Sequence, residues 1–380
     1  MNKKVGIITY HAAHNYGSML QAYALQQTIL GMGFDCEIIN FRTERQRQMY
    51  IPRFLNERSI KKITKYILTL GHIKKSYQQY QLFENYLSTQ LKLTKREYAT
   101  LEELKQDDSL KFDYVLSGSD QIWNTFCRDF DWAYFLPFVK TGKRIAYAPS
   151  MGRQVSIEVG NSYDNQIYYH LKQYDVLSVR EKMTAKKIEQ LIGISPNVVV
   201  DPTLLYPQNK WKELAGNTPL IKKNYIFLYM PWFDQETFDL ALKYSKQKHL
   251  PIVLTIWPNQ SKWDIITLLR NNIQIHCATG PLEFLNICKY AKITIAKSFH
   301  AVIFSMIFER PFYAVRGISD DRINDLLKKA GILEMHNLDP NNIEIITQKQ
   351  IPEIINYENA FQALSQEIEY SFSFLKNALK

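Results

Sequence analysis

Cysteine is scarce in this sequence, with four among 380 residues. Cys36, Cys127, Cys277 and Cys288 show neither C-x-x-C spacing nor the density of a disulfide scaffold, so they read as reduced thiols. Long hydrophobic runs are missing too. No stretch reaches the ~18 apolar residues of a membrane span, and the opening run VGIITY is cut by His11 too early for a signal-peptide core. The expectation is a cytoplasmic protein, neither exported nor integral. G-x-G-x-x-G and the P-loop are absent, which leaves a dinucleotide or Walker-type nucleotide site without support. So are H-E-x-x-H, a Cys quartet and any run of histidines and carboxylates at ligand spacing, so no metal is expected. The pair His11 and His14 in HAAH would suit a metal only on a helix, and it precedes the first one. Internal repeats and low-complexity tracts are also lacking.

What is present is apolar content for real cores, at 46% of the residues, in a chain long enough for two to three domains. The net charge of +10 is concentrated. Between Arg42 and Lys75 stand ten Lys or Arg and only Glu44 and Glu57, so these 34 residues carry +8 of it. Such a stretch serves nucleic acid, an anionic membrane surface or a phosphorylated substrate, or is a solvated surface excursion. No nucleic-acid-binding motif accompanies it, so nucleic acid is not an expected partner.

Two series of alternating strand and helix text follow one another. KVGIIT (4–9) reads as a buried strand, Ser18 to Leu30 as a helix ended by Gly31 and Gly33, and CEIINF (36–41) as the next strand. That is a β-α-β unit with a right-handed parallel crossover. From Arg42 to about Thr100 the text turns polar, Tyr-rich and helical, as an insertion would. Strand text returns at 112–120, 144–150, 175–181 and 197–205. A linker-like break rich in Pro, Gly and polar residues begins at Tyr206. A second series then runs through 225–230, 251–257, 272–277, 291–296 and 310–315, and an amphipathic closing helix is expected from Glu358 to Leu379. The fold class is α/β: two Rossmann-like domains, 1–206 with the helical insertion and 207–380 with the closing helix.

In open parallel sheets, ligands bind beyond the carboxyl ends of the strands. There the first domain offers His14, Asn15 and Tyr16, with Gly17 allowing a tight turn before the helix, and then Ser119, Asp120 and Gln121 in SGSDQ. Each also fits an ordinary capped turn, since Ser and Asp are favoured N-caps. In the second domain Lys297, Ser298, Phe299 and His300 end a strand, with a helix expected from Ala301. A helix N-terminus there favours a nearby anion, and Lys297 suits a phosphate or carboxylate. Arg180 ends an apolar strand and should project into a cleft. Arg322 opens a helix and could pair with Asp325.

NYGSMLQAYAL, SGSDQIWN, LSVREKMTAKKIEQLIG, VVVDPTLL, SFHAVIFSMIFERPFYAV and DDRINDLLKKAGI stand in an order and spacing that resembles the polysaccharide pyruvyl transferase family. The resemblance runs from about residue 4 to 332, apart from much of the insertion. It implies a GT-B-like arrangement, two Rossmann-type domains facing a central cleft. It also implies transfer of the enolpyruvyl group of phosphoenolpyruvate to a sugar of a surface or capsular polysaccharide precursor. The product would be a cyclic ketal, with phosphate released and no cofactor. By similarity, Arg180, His300 and Arg322 would bind phosphoenolpyruvate, with Lys297 and Ser298 beside them. Many members carry an arginine where this sequence has Ser298, and Lys297 is its expected substitute. Asp120 is the candidate base with His14 as competitor, and His300 moves a proton or holds the phosphate. The acceptor sugar would meet Asn15, Tyr16, Gly17, Ser119 and Gln121. If it is carried on a prenyl diphosphate, the basic stretch would bring the enzyme to the inner membrane face; neutralising Lys61, Lys62 and Lys65 should then weaken binding to anionic liposomes. Two alternatives stand beside this reading: a GT-B glycosyltransferase using a nucleotide sugar, and a non-catalytic sugar- or anion-binding relative.

Overall fold

Continuous apolar runs, buried on both faces, place four strands at the centres of two parallel sheets. The computed structural model describes residues 3–52, 70–152, 160, 162–255, 273–275, 278–316, 319–338 and 355–380. Cys277 and the three lysines Lys61, Lys62 and Lys65 lie outside these residues, so the structure does not bear on the membrane expectation. The chain divides into two compact units. One comprises Met1–Tyr50, Leu87–Tyr206 and Ser365–Lys380; the other comprises Ile51–Tyr86 and Pro207–Leu364.

In the first unit the strands are β1 (Lys4–Ile8), β2 (Asp35–Phe41), β3 (Leu93–Tyr98), β4 (Tyr114–Ser117), β5 (Lys143–Ala146), β6 (Val176–Val179) and β7 (Asn197–Val198). Their order across the sheet is β3-β2-β1-β4-β5-β6-β7, and every neighbouring pair is parallel. The direction of winding reverses between β1 and β4, which makes their carboxyl ends the topological switch point. β3 falls inside the stretch expected to be a helical insertion. It is an edge strand with exposed Lys95 and Arg96, and charge on a sheet edge hides a strand from hydrophobic patterning.

The helix Tyr16–Gly31 starts two residues before the expected Ser18, and thirteen of its sixteen residues are buried. It is enclosed on nearly all sides, so its polar residues are satisfied internally. Gln21 donates to the Thr9 hydroxyl at 2.9 Å, and Gln26 to the Lys92 carbonyl at 2.8 Å. Gly17 lies in the helix's first turn, not in a turn before it. Gly118, just past β4, is required by close approach: a Cβ there would sit 3.0 Å from Thr9 Cβ and 3.1 Å from Ile7 Cγ2. The core beside this sheet is aromatic, with Trp123 stacked on Phe135 at 5.0 Å.

The last helix, Tyr357–Ala378, forms where amphipathicity places it. Its end belongs to the first unit, which corrects the assignment of 207–380 to one domain. The Ser371 hydroxyl accepts the Val200 N–H at 3.0 Å, and Lys143 donates to the Ala378 carbonyl at 3.1 Å. Such contacts link residues far apart in sequence and leave no local trace.

The second unit holds β8 (Ile226–Tyr229), β9 (Ile252–Leu254), β10 (Ile273–Ile275), β11 (Ile293–Ala296), β12 (Phe312–Val315) and β13 (Asn337–Leu338). Its order is β10-β9-β8-β11-β12-β13, again parallel throughout, with the reversal between β8 and β11. The helix Phe299–Ile307 follows β11 and begins two residues before the expected Ala301, with Ser298 as its N-cap. Among the described residues no helix is long and apolar enough to cross a membrane.

Candidate functional site

Past the carboxyl end of β4, Asp120 adopts φ 79°, a left-handed conformation uncommon for a residue with a Cβ. It is held there by the Ser150 N–H, which donates to its carbonyl at 2.8 Å. One carboxylate oxygen accepts the Gln121 N–H at 2.8 Å and the other accepts the Ser18 hydroxyl from the first turn of helix Tyr16–Gly31. Asp120 is thus fixed by both strands' connections at the switch point.

Arg180 meets the same carboxylate, its Nη2 3.7 Å from Asp120 Oδ1. Its Nη1 donates to Asp201 at 2.8 Å, and its Nε stands 3.7 Å from Glu181. The Arg180 side chain is only 2% exposed. Asp201 is itself held by the Thr203 hydroxyl at 2.8 Å and the Ser119 hydroxyl at 3.3 Å. The Arg180 guanidinium, expected to project into a cleft, faces three carboxylates. Burying a charge is costly unless it is paired, and the pairing partners here come from separate segments. Asp201 and Glu181 were not singled out in the sequence. The signal for Asp201 was available, since VVVD ends an apolar run in Asp as VLSGSD does.

The histidine-containing loop divides by role. His11 is fully buried, with Nδ1 3.1 Å from the Thr9 carbonyl and Nε2 3.2 Å from the Asn40 amide oxygen. His14 is buried as well; its Nε2 accepts from Arg42 at 3.4 Å and its ring stacks on Tyr50 at 5.3 Å. Arg42, first of the basic stretch, is thus turned inward. Asn15 caps the helix, its side-chain oxygen accepting the Gly17 and Ser18 N–H groups at 3.0 and 3.4 Å. Tyr16 and Gly17 are buried in the first helical turn. Ser119 is buried, and Gln121 accepts from Asn124 at 2.9 Å.

At the switch point of the second unit, the Lys297 N–H extends the ladder to Tyr229 O at 2.9 Å, and its ammonium pairs with Asp234 at 2.8 Å. Burial acts to raise the Asp234 carboxyl, but hydrogen bonds from Lys297 and Thr237 outweigh it and hold the group below the usual carboxylate value. Ser298 makes no side-chain cap bond to the helix it precedes. His300, the second residue of that helix, is 8% exposed and meets Phe299 edge-on at 5.4 Å. The Arg322 guanidinium lies 5.5 Å over the same Phe299 ring. Its partner is Asp320, not Asp325: Nε and Nη2 form a bidentate pair at 2.9 and 2.8 Å. Phe299 thereby joins His300 and Arg322 in one cluster at the end of β11. Among the described residues no three His, Cys, Asp or Glu side chains gather to hold a metal ion.

The fold has clear parallels among solved structures. UDP-GlcNAc 2-epimerase from Methanocaldococcus jannaschii, in complex with UDP-GlcNAc and UDP, is 14% identical with a TM-score of 0.53, over 97% of this chain and 100% of that one. Arabidopsis thaliana UGT89C1 complexed with quercetin is 10% identical with a TM-score of 0.51 and full coverage of both chains. These likenesses show a GT-B-like α/β fold. No curated protein matches the sequence at a significant level. The family model for polysaccharide pyruvyl transferase matches residues 15–317, which is more than half of the chain. This chain belongs to the polysaccharide pyruvyl transferase family.

Proposed function

We propose that the protein transfers the enolpyruvyl group of phosphoenolpyruvate to a sugar acceptor and closes it onto a second hydroxyl as a cyclic pyruvate ketal, releasing phosphate. The family match over residues 15–317 carries this reading. The cluster after β11 supports it: a lysine, an arginine and a histidine at a helix N-terminus suit an anion bearing both phosphate and carboxylate. In this reading Lys297, His300 and Arg322 hold the donor, with Ser298 beside them. Asp120 accepts a proton from the attacking hydroxyl. It is preferred to His14, whose Nε2 is engaged by Arg42. Arg180 enters as the bracket that fixes Asp120 rather than as a donor contact, because three carboxylates enclose it. Gln121 remains a candidate acceptor contact, while Asn15, Tyr16, Gly17 and Ser119 shape that side of the site.

The test is incubation with phosphoenolpyruvate and a panel of prenyl-diphosphate-linked and nucleotide-linked sugars. Phosphate release with a mass gain of one pyruvyl ketal is the expected result; Asp120→Asn should lower kcat by about 10²–10⁴-fold, and His300→Ala should raise the KM for phosphoenolpyruvate. Release of a nucleoside diphosphate would favour glycosyl transfer instead. Sugar or anion binding without turnover, unchanged in His300→Ala, would make the protein a binding relative.

A further inference from the structure

The most exposed large aromatic side chain among the described residues is Trp232, in the loop after β8. It is 79% exposed, whereas Trp123 and Trp211 are buried. Its backbone is held on both sides. Met230 before it is buried, and Phe233 after it packs on the core against Phe238, with ring centroids 5.8 Å apart. Asp234 then caps the helix Gln235–Lys248, accepting the Thr237 N–H at 3.1 Å. Burial ordinarily takes most of an indole, so an anchored loop that leaves one outside presents a flat apolar surface ready for a partner.

Its place is as informative as its exposure. β8 and β11 pair in parallel with Tyr229 opposite Ala296, so their loops leave the sheet side by side. The Lys297 N–H bonds to Tyr229 O at 2.9 Å, and the Lys297 ammonium pairs with Asp234 at 2.8 Å. Trp232 is two residues from Asp234, a span of at most ~7 Å between their Cα atoms. It therefore borders the cluster in which Lys297, His300 and Arg322 hold the donor in the reading above, and it does so within one unit. The carboxylates that follow it are paired, Asp234 with Lys297 and Glu236 with Arg316. An indole beside paired charges suits a neutral, hydroxyl-rich ring, whereas an anionic membrane draws a field of one sign.

We propose that Trp232 is a stacking platform for the sugar ring of the acceptor, a subsite on the second unit beside the donor cluster. The inference deepens the pyruvyl-transfer reading and rests on it for the identity of the ring. A cyclic ketal forms when two hydroxyls of one sugar bond in turn to the same donor carbon. Between the two bond formations the ring has to keep one face and one orientation against the donor. The indole covers the C–H face of a pyranose and leaves the hydroxyls at the ring's edge free to react. Its rigidity, set by the anchors at Met230, Phe233 and Asp234, lets it hold the ring at little cost in ordering.

The test combines kinetics with tryptophan emission, using the prenyl-diphosphate-linked and nucleotide-linked sugars of the activity panel and the corresponding free nucleotides. With the acceptor that turns over, Trp232→Ala should raise the acceptor KM by about tenfold and leave the KM for phosphoenolpyruvate unchanged. Trp232→Phe, which keeps an aromatic face, should recover most of the loss. A Trp232→Ala variant with wild-type acceptor KM overturns the proposal, and so does one whose KM for phosphoenolpyruvate rises as much. The same sugar should change the emission of the wild type, and the change should be absent from Trp232→Phe. An equal change with a free nucleotide would make the indole a nucleobase platform and overturn the sugar assignment. If no panel member releases phosphate, the pyruvyl-transfer reading fails and the emission titration decides the subsite by itself. A Trp232-dependent response to a sugar then sustains it, and the lack of one with every sugar overturns it.

Discussion

At Arg180 one positive charge faces Asp120, Glu181 and Asp201, and its side chain is nearly sealed from water. Removing the cation would leave three carboxylates close together without the positive charge that pairs them. Arg180→Met should therefore destabilise the protein by about 3–5 kcal/mol, read as a lower urea midpoint, because breaking a buried pair strands its partner. A midpoint within error of wild type would refute the bracket role. The sequence made Arg180, Asp120 and His300 visible, since each stands within four residues of the end of an apolar strand. It could not show their partners. Asp201 lies 21 residues from Arg180, and Ser18 lies 102 from Asp120. No local pattern reports which of many carboxylates reaches a given guanidinium.

Elements, by contrast, were legible wherever they are buried. β1, β4, β8 and β11 are short runs of apolar residues, and each shows in the text because a central parallel strand is covered on both faces. β3 and β13 were missed, the first for its charged edge and the second for its two-residue length. The helices Tyr16–Gly31 and Phe299–Ile307 both begin two residues before their expected starts, and for the first the cap explains why. Asn15 at one N-terminus takes up two N–H groups with its side chain, so Tyr16 and Gly17 are already helical. Asn15→Ala should cost about 1 kcal/mol in stability, with Asn15→Asp close to wild type. Equal losses in the two variants, measured by urea unfolding, would mean that the cap bond is not the cause.

For the whole molecule, the grouping of Ile51–Tyr86 with Pro207–Leu364 and of Ser365–Lys380 with the first unit has no counterpart in local composition. Each unit also carries a buried histidine. Burial holds His170, beside Trp132 and Phe135, and His336, whose Nδ1–H donates to Phe312 O at 3.0 Å, below the ordinary imidazole value. As pH falls below about 6.5, the unfolded chain takes up protons on these rings before the fold does, so stability should decline toward pH 5. The urea midpoint should fall between pH 7.5 and 5.5, and a smaller fall is expected in His336→Gln. A midpoint that rises over this interval would contradict the sign. What the sequence by itself determined was the twofold α/β architecture and the residue types at the strand ends, because apolar periodicity and the punctuation after it are local properties. Only the tertiary structure decided that Arg180 faces carboxylates and that Arg322 is clamped by Asp320 over Phe299. Those pairings depend on which segments the sheet brings side by side, and sheet order is a non-local choice.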